Sequence, residues 1–354
     1  MFRNVIMLST LFVAMNYNIT NADLSQPTCF KVADEVYKGV DYRNSPSSEL
    51  YHILKSGIEN PDSKMGCYAF SANSYVKFDK FFNKIIEIYH KIDPEKNIQN
   101  FDTNHNKLNK LHKNDKQNVI STRVRVIRNF ANFNFPSKMT KEDRLKVEEQ
   151  FLLAIQQFPQ ELQGKYYPLS TMSEAEKEDL TKQHLLFQDL TTDKYLKSAG
   201  IADDYPTGRG VFVSNDKHLA IWVNEEDHLR ITSIYNGYNF KATLKRIADA
   251  NKFLSKTIQF AKNKNIGYLA SCPTNIGTGM RASVMVNVPS ITKENLSENK
   301  NKFKALNLQI RGSNGENSTS NDTVYDISNS VRLGKTEVEL IKDLDKKLFE
   351  LGVL

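Results

Sequence analysis

The sequence predicts an α+β protein: a small all-helical N-terminal domain, then a larger domain whose mostly antiparallel sheet is flanked by helices. Three observations predict it. Before residue 92 the apolar side chains recur at helical spacing. After residue 118, short runs rich in β-branched residues alternate with capped helical stripes. Between them lies a polar stretch, 93–118, crowded with Asn, Lys and Asp. The chain has 354 residues, enough for two domains with cores of their own. Its composition, 40% hydrophobic and 25% charged, excludes a collagen, a wholly disordered chain and a coiled-coil rod.

Residues 1–22 come first. Arg3 precedes an apolar run from Val5 to Met15, broken only by Ser9 and Thr10, and Thr20 and Ala22 flank a cleavage site before Asp23. The pattern is that of a secretory signal peptide, which predicts the secretory pathway or extracellular space; the alternative is a cytoplasmic protein with a buried segment there. No run of 18 apolar residues exists, so no membrane span is expected. Residues 23–92 form the helical domain, where Phe78, Phe81, Ile85 and Ile88, with Tyr89 beside them, make one stripe. The 93–118 stretch reads equally as an interdomain linker or as an ordered loop wrapped over the surface.

Residues 119–354 form the larger domain. Val119–Ile127 alternates as a strand. Thr140 caps a helix striped by Val147, Phe151, Ile155 and Phe158, and Ser173 with Glu176 is a capping box. Strands are expected over Gly210–Val213, Leu219–Val223 and His228–Ile234. A long helix then carries Leu244, Ile247, Ala248, Leu254 and Ile258. Further strands are expected over Ser283–Val288 and Asn307–Ile310. The last helix is capped by Thr336 and Glu339 and striped by Ile341, Leu344, Leu348 and Leu351.

The net charge of +7 favours anionic partners. Five arginines stand out. Arg123 and Arg125 alternate on one strand, so both guanidiniums share a face while Val124 and Val126 pack the other way. Like charges side by side are unfavourable unless an anion sits between them. By the same parity Glu226, His228 and Arg230 are expected on one face, with Leu229 and Ile231 in the core. Arg281 follows Gly277 and Gly279, which permit close backbone approach, and Arg311 begins a flexible Gly-bearing segment. Each arginine alone reads as a surface or ion-paired residue; the five together read as a site for a polyphosphate and its charged transition state. Nucleic-acid binding is not expected, because these arginines form no Lys/Arg run and no recognition signature appears. Nor is there a Walker A, HRD or DFG motif, or any CxxC, HExxH or zinc-finger spacing.

The segments that hold these residues resemble the ATP:guanidino phosphotransferases, the phosphagen kinase family, and most of all its arginine kinases. They are Ser121–Arg125, Tyr166–Leu169, Pro206–Gly210, Asn224–Arg230, Cys272–Ser283, Arg311-Gly with Gly315-Glu316, and Tyr325–Asn329. The resemblance implies reversible transfer of the γ-phosphoryl of ATP, bound with Mg²⁺, to a guanidino nitrogen. It implies that Ser121, Arg123, Arg125, His184, Arg230, Arg281, Met285 and Arg311 bind the nucleotide. Glu226 and Glu316 would grip the guanidinium, Cys272 would sit beside the reacting nitrogen, and Glu225 and Asp227 would hold magnesium through water. Ser63, Lys64, Met65 and Tyr68 would read the far end of the acceptor, L-arginine above all. A monomer is implied rather than a dimer. Chemically, two carboxylates can orient a planar cation, Glu226 can accept the proton of the attacking nitrogen, and nearby arginines favour a thiolate at Cys272. The 313–323 segment would close over the substrates and exclude water.

The chain departs from the family pattern at Lys64, where Gly is usual, and at Met65, Cys67, Lys194, Tyr205 and Met285. Sequons at Asn18, Asn295, Asn317 and Asn321, with the signal-like N-terminus, motivate an alternative: a secreted, weakly active or inactive relative acting as a binding or effector protein. In a secreted form Cys29 and Cys67 are available to pair, leaving Cys272 free.

Overall fold

The computed structural model describes residues 27–109, 118–292, 295–312 and 323–354. The signal-like segment 1–22 lies outside them. The N-terminal domain is helical as expected: α1 (Thr28–Val36), α2 (Glu49–Glu59), the single turn α3 (Ser74–Lys77) and α4 (Asp79–His90). The predicted stripe buries Phe81 and Ile85, and the adjacent Phe82 and Ile86 are buried with them. This core continues into the larger domain through Ile127, Leu269, Ala270 and Ile276, so the two domains share an apolar seam. Backbone and side-chain bonds cross it as well: Ala69 N–H donates to the Ser271 carbonyl (2.7 Å) and the Tyr75 hydroxyl to that of Ala270 (2.8 Å).

Over residues 93–109 the polar stretch is an ordered surface strap. Gln99 Nε2 donates to the Lys335 carbonyl (3.0 Å), the Asp102 N–H donates to Glu337 (2.9 Å), and Leu108 is buried in the main core. Polar composition thus reflects a strap that lies on the surface and bonds to it.

The larger domain contains β1 (Val119–Arg128), α5 (Lys141–Ile155), β2 (Gly164–Pro168), α6 (Glu174–Lys182), α7 (Lys194–Ser198), β3 (Gly210–Ser214), β4 (Leu219–Val223) and β5 (Leu229–Asn236). It continues with α8 (Phe240–Leu254), the short hairpin β6 (Lys262–Asn263) and β7 (Gly267–Tyr268), β8 (Met280–Asn287), α9 (Leu296–Ala305), β9 (Leu308–Gly312), β10 (Val324–Asn329) and α10 (Glu337–Glu350). The expected capping box forms at Ser173/Glu176, Thr336 and Glu339 cap the last helix as a second box, and Thr140, expected as an N-cap, forms a third with Asp143. The long helix α8 ends at Leu254, and Ile258 is buried just beyond it.

Eight strands form one antiparallel sheet in the order β2-β3-β4-β5-β1-β8-β10-β9. Its two faces differ. One carries Phe212, Ile221, Ile231, Val126, Val124, Ala282, Val284 and Ile327 into the main core, against Leu244 and Ile247 of α8 and Ile341 and Leu344 of α10. On the opposite face Val211, Val213 and Ala220 of β3 and β4 are covered by Leu169, Met172, Leu185, Phe187 and Ala202. The β5-β1-β8-β10-β9 part of that second face carries the arginines. No described helix is long and apolar enough to cross a membrane.

Candidate active site

The register across the sheet brings the arginines together. Arg125 on β1 lies opposite Arg281 on β8 and Thr232 on β5; Arg123 lies opposite Ser283 and Ile234. Directly opposed residues of antiparallel strands share a face. Arg230 (opposite Ile127), Ser121 and Met285 (opposite one another), Asp326 (opposite Met285) and Arg311 (opposite Asp326) therefore join the same face. The period-two pattern of β1 thus extends over four further strands.

Cations crowd there. Burial pushes the Arg125 guanidinium well below its ordinary pKa, and Arg230, Arg281, Arg332 and Arg311 all push the same way. A guanidinium does not deprotonate under such pressure; the direction records burial beside neighbouring cations. Asp326 offsets part of it. Its carboxylate pairs with Arg281 Nη2, and although burial alone would raise it, Arg281 and Arg123 hold it below the usual carboxylate range. Arg311 Nη2 donates to Gln309 (2.9 Å).

His184 follows the end of α6 in a left-handed conformation (φ 55°). It lines one pocket with Arg123, Arg125, Arg230, Lys217, His218, Trp222 and Thr232. Trp222 anchors that edge by donating from its indole N–H to the Leu185 carbonyl (2.5 Å), and the Arg230 guanidinium lies 5.2 Å from its ring centre.

The acidic group sits at the head of β5, and here the sequence reading needs correction. β5 starts at Leu229; residues 224–228 form a turn that begins with Asn224 in the left-handed region (φ 54°). Strand parity does not apply to Glu226 or His228. His228 is fully buried among Phe130, Phe133 and Phe135. Its Nδ1 accepts from the Phe130 N–H (2.9 Å) and its Nε2 donates to the Asn134 carbonyl (2.8 Å), and burial pushes it down to about 3. It is a neutral core residue. Behind the turn stands Arg209, fully buried, donating to the carbonyls of Asn224 (2.9 Å), Ile201 (2.7 Å) and Asp203 (2.9 Å). Asn224 Nδ2 in turn donates to the carbonyls of Gly208 (2.7 Å) and Arg144 (3.0 Å). The Pro206–Gly210 and Asn224–Arg230 segments are thus two halves of one scaffold.

On that scaffold Arg230 Nη2 bridges Glu225 (3.0 Å) and Glu226 (3.1 Å). Burial raises the Glu226 carboxyl; Arg230 opposes the rise, and Glu225 and Asp227 add to it. Asp227 is buried, with Oδ1 accepting from Asn129 Nδ2 (2.6 Å) and the Ser271 N–H (2.8 Å). The carboxylates expected to hold magnesium are therefore engaged with Arg230 and with the Ser271 backbone. Among the described residues no group of three or more His, Cys, Asp or Glu side chains is placed to hold a metal ion.

Cys272 lies in the adjacent turn, its Sγ 3.1 Å from Thr274 Oγ1, and Asn275 Nδ2 reaches Glu226 at 3.4 Å. Burial and the neighbouring Glu226 push the thiol up to about 12, although Thr274 pulls the other way. Burial first and Glu226 second thus work against the thiolate expected from nearby arginines. All three cysteines are free and buried, so Cys29 and Cys67 are not joined.

The loop carrying Ser63, Lys64, Met65 and Tyr68 abuts the same turn through Ala69 and Ser271. Its carbonyls face α1 and α2: Lys64 accepts from the Thr28 N–H, Met65 from Cys29 and Gly66 from Gly57. Gly66 is required here, since a Cβ would fall 2.7 Å from Cys29 Sγ and φ is 78°. The Lys64 side chain is exposed, whereas the Tyr68 phenol is pushed up by burial, then by Glu226 and Cys272. Asp62 beside them binds Lys194 (2.7 Å) and Tyr195 (2.9 Å). Glu316, Asn317 and Asn321 fall in 313–322, outside the described residues.

Two site residues escaped the sequence reading. Asp326 required the β8–β10 register, which links positions some forty residues apart. Arg332 is buried with its Nε unpartnered among the described residues, and Tyr89, Glu226 and Cys272 oppose the downward push of burial on it. It follows β10, where no strand alternation could flag it. Gly277 (φ 94°) is the local trace: a Cβ there would fall 2.4 Å from the Arg332 carbonyl.

The family comparisons agree with this geometry. The family description "ATP:guanido phosphotransferase, C-terminal catalytic domain" matches residues 146–351, and the N-terminal domain of the same family matches 31–87. The chain is 40% identical to an arginine kinase of Amphioctopus fangsiao over 304 residues, 85% of this chain and 86% of that one. It is 38% identical to a taurocyamine kinase of Schistosoma mansoni, over 91% of this chain and 43% of that one. Among solved structures, a lombricine kinase superposes with a TM-score of 0.76 at 32% identity, covering 86% of each chain. A cation-rich sheet face, a carboxylate–cysteine turn and these matches together place the chain in the ATP:guanido phosphotransferase family, the phosphagen kinases.

Proposed function

We propose that this chain transfers the γ-phosphoryl group of MgATP reversibly to a guanidino nitrogen of L-arginine. The observation that carries the reading is the shared face of Arg123, Arg125, Arg230, Arg281 and Arg311, which adjoins Glu226 through the 3.1 Å Arg230 contact. The arginines would hold the nucleotide phosphates and the charge that develops on the moving group. Mg²⁺ would arrive with ATP as its complex, screening the β- and γ-phosphates.

Glu226 would orient the guanidinium and accept the proton lost when nitrogen attacks, a role that suits a carboxyl raised by burial. Cys272 would lie against the same nitrogen as a thiol, with Glu316 completing the grip. Tyr68, half-buried and within the electrostatic reach of Glu226 and Cys272, would line the acceptor site. Secretion follows as a separate proposal from residues 1–22; N-terminal sequencing of native protein that begins at Met1 would overturn it.

A coupled ATP assay over L-arginine, taurocyamine, lombricine and creatine tests the acceptor. L-arginine should give the highest kcat/KM. Preference for another guanidine moves the substrate assignment, and transfer to none overturns the activity.

A further inference from the structure

His90 is the last residue of α4, in the helical domain, and is 3% exposed. Its Nε2 lies 3.0 Å from the carbonyl of Pro273, the residue after Cys272. A carbonyl only accepts, so Nε2 carries the proton and Nδ1 is a bare acceptor. That Nδ1 is buried without a partner among the described residues, as is Nε of Arg332 nearby. A histidine buried at such cost is held for the one bond that it makes.

The recipient of that bond is the turn that builds the reacting centre. Cys272 closes it by accepting from the Asn275 N–H (3.0 Å), the thiol contacts Thr274, and Asn275 Nδ2 reaches the Glu226 carboxylate. From the other side the Ser271 N–H is fixed by Asp227. His90 supplies the restraint from the helical domain.

We propose that His90 is a positioning residue: by holding the Pro273 carbonyl it sets the Cys272–Asn275 turn, and with it the thiol and Glu226, against the N-terminal domain. The inference rests on the roles given above to Glu226 and Cys272.

The test uses the full chain and reads two quantities. One is the rate of Cys272 alkylation by iodoacetamide, mapped by mass spectrometry; the other is kcat against KM for ATP. In His90→Ala, Cys272 should be alkylated about tenfold faster and kcat should fall about tenfold with KM for ATP unchanged, the effect of one lost buried hydrogen bond. His90→Gln places an amide N–H near the Nε2 position and should return both quantities toward wild type. If the alanine variant does not fold, His90→Asn, whose amide stops short of Pro273, takes its place under the same criteria. Unchanged alkylation in a folded variant, a change in KM for ATP alone, or no rescue by glutamine would overturn the proposal. Alkylation does not depend on turnover, so a failed acceptor assignment remains distinguishable from a failed positioning role.

Discussion

Two groups of arginines occupy this domain, one fully buried in the scaffold and one that includes the half-buried Arg125 on the sheet face, and they are built in opposite ways. Arg209 and Arg144 are fully buried and turned toward backbone carbonyls: Arg209 donates to four of them, and Arg144 Nη2 donates to those of Pro136 and Gly200 at 3.2 Å each. Arg125 faces cations instead. Burial depresses both Arg209 and Arg125; at Arg209 the neighbouring Arg144 adds to it while Asp204, Tyr205 and Asp203 oppose it, whereas at Arg125 four arginines reinforce it. The difference separates structure from function. An arginine that has spent its donors on the fold holds a loop in place, and one surrounded by its own charge awaits an anion.

The largest expected effect falls where the two groups meet, at Glu226, which rests on the Arg209 scaffold and touches the arginine face. Glu226→Gln keeps the shape and loses the charge and the proton acceptor, so kcat should fall by about 10²–10⁴-fold. KM for ATP should change little; a fall of less than tenfold would remove Glu226 as the base. Next comes Arg125→Ala, which should cost about 10²-fold or more in kcat/KM, as losing one preorganised electrostatic donor does. Arg209→Ala tests the other group. It strands the buried carbonyls of Asn224 and Ile201 and should lower stability by about 2 kcal/mol or more in denaturant titrations. A stable Arg209→Ala variant would erase the contrast.

A smaller effect concerns pH. A carboxyl raised by burial stays protonated to higher pH, so the acidic limb of kcat/KM should lie above the ordinary Glu value of about 4.3. The same shift fixes the sign for stability. Ionising Glu226 in the folded protein is penalised, so that cost is absent at low pH and grows as pH rises through the raised pKa. An acidic limb at the ordinary value would show that Glu226 is better solvated than its burial implies.

Much of this was legible in the sequence, and the failures share a cause. The parity of Arg123 and Arg125 could be read because both lie inside one strand and the valines between them mark its other face. The capping boxes could be read because each is complete within four residues. His228 was misread because alternation was carried past the start of β5, into a turn announced only by the left-handed Asn224. Asp326 needed a register, and Arg332 needed the close approach of Gly277. At Cys272 the sequence shows nearby arginines but neither the burial nor the Glu226 contact that the fold adds, and both of these push the thiol up.

The central claim is that Arg125 belongs to a ligand site and not to the scaffold. Thermal unfolding of wild type and Arg125→Ala, each with and without MgATP, tests it most directly. Without nucleotide the variant should melt at or above wild type, because removing one cation relieves the others, and MgATP should raise the Tm of wild type far more than that of the variant. A variant that melts well below wild type, yet keeps the full MgATP shift, would place Arg125 with Arg209 in the scaffold and contradict the assignment.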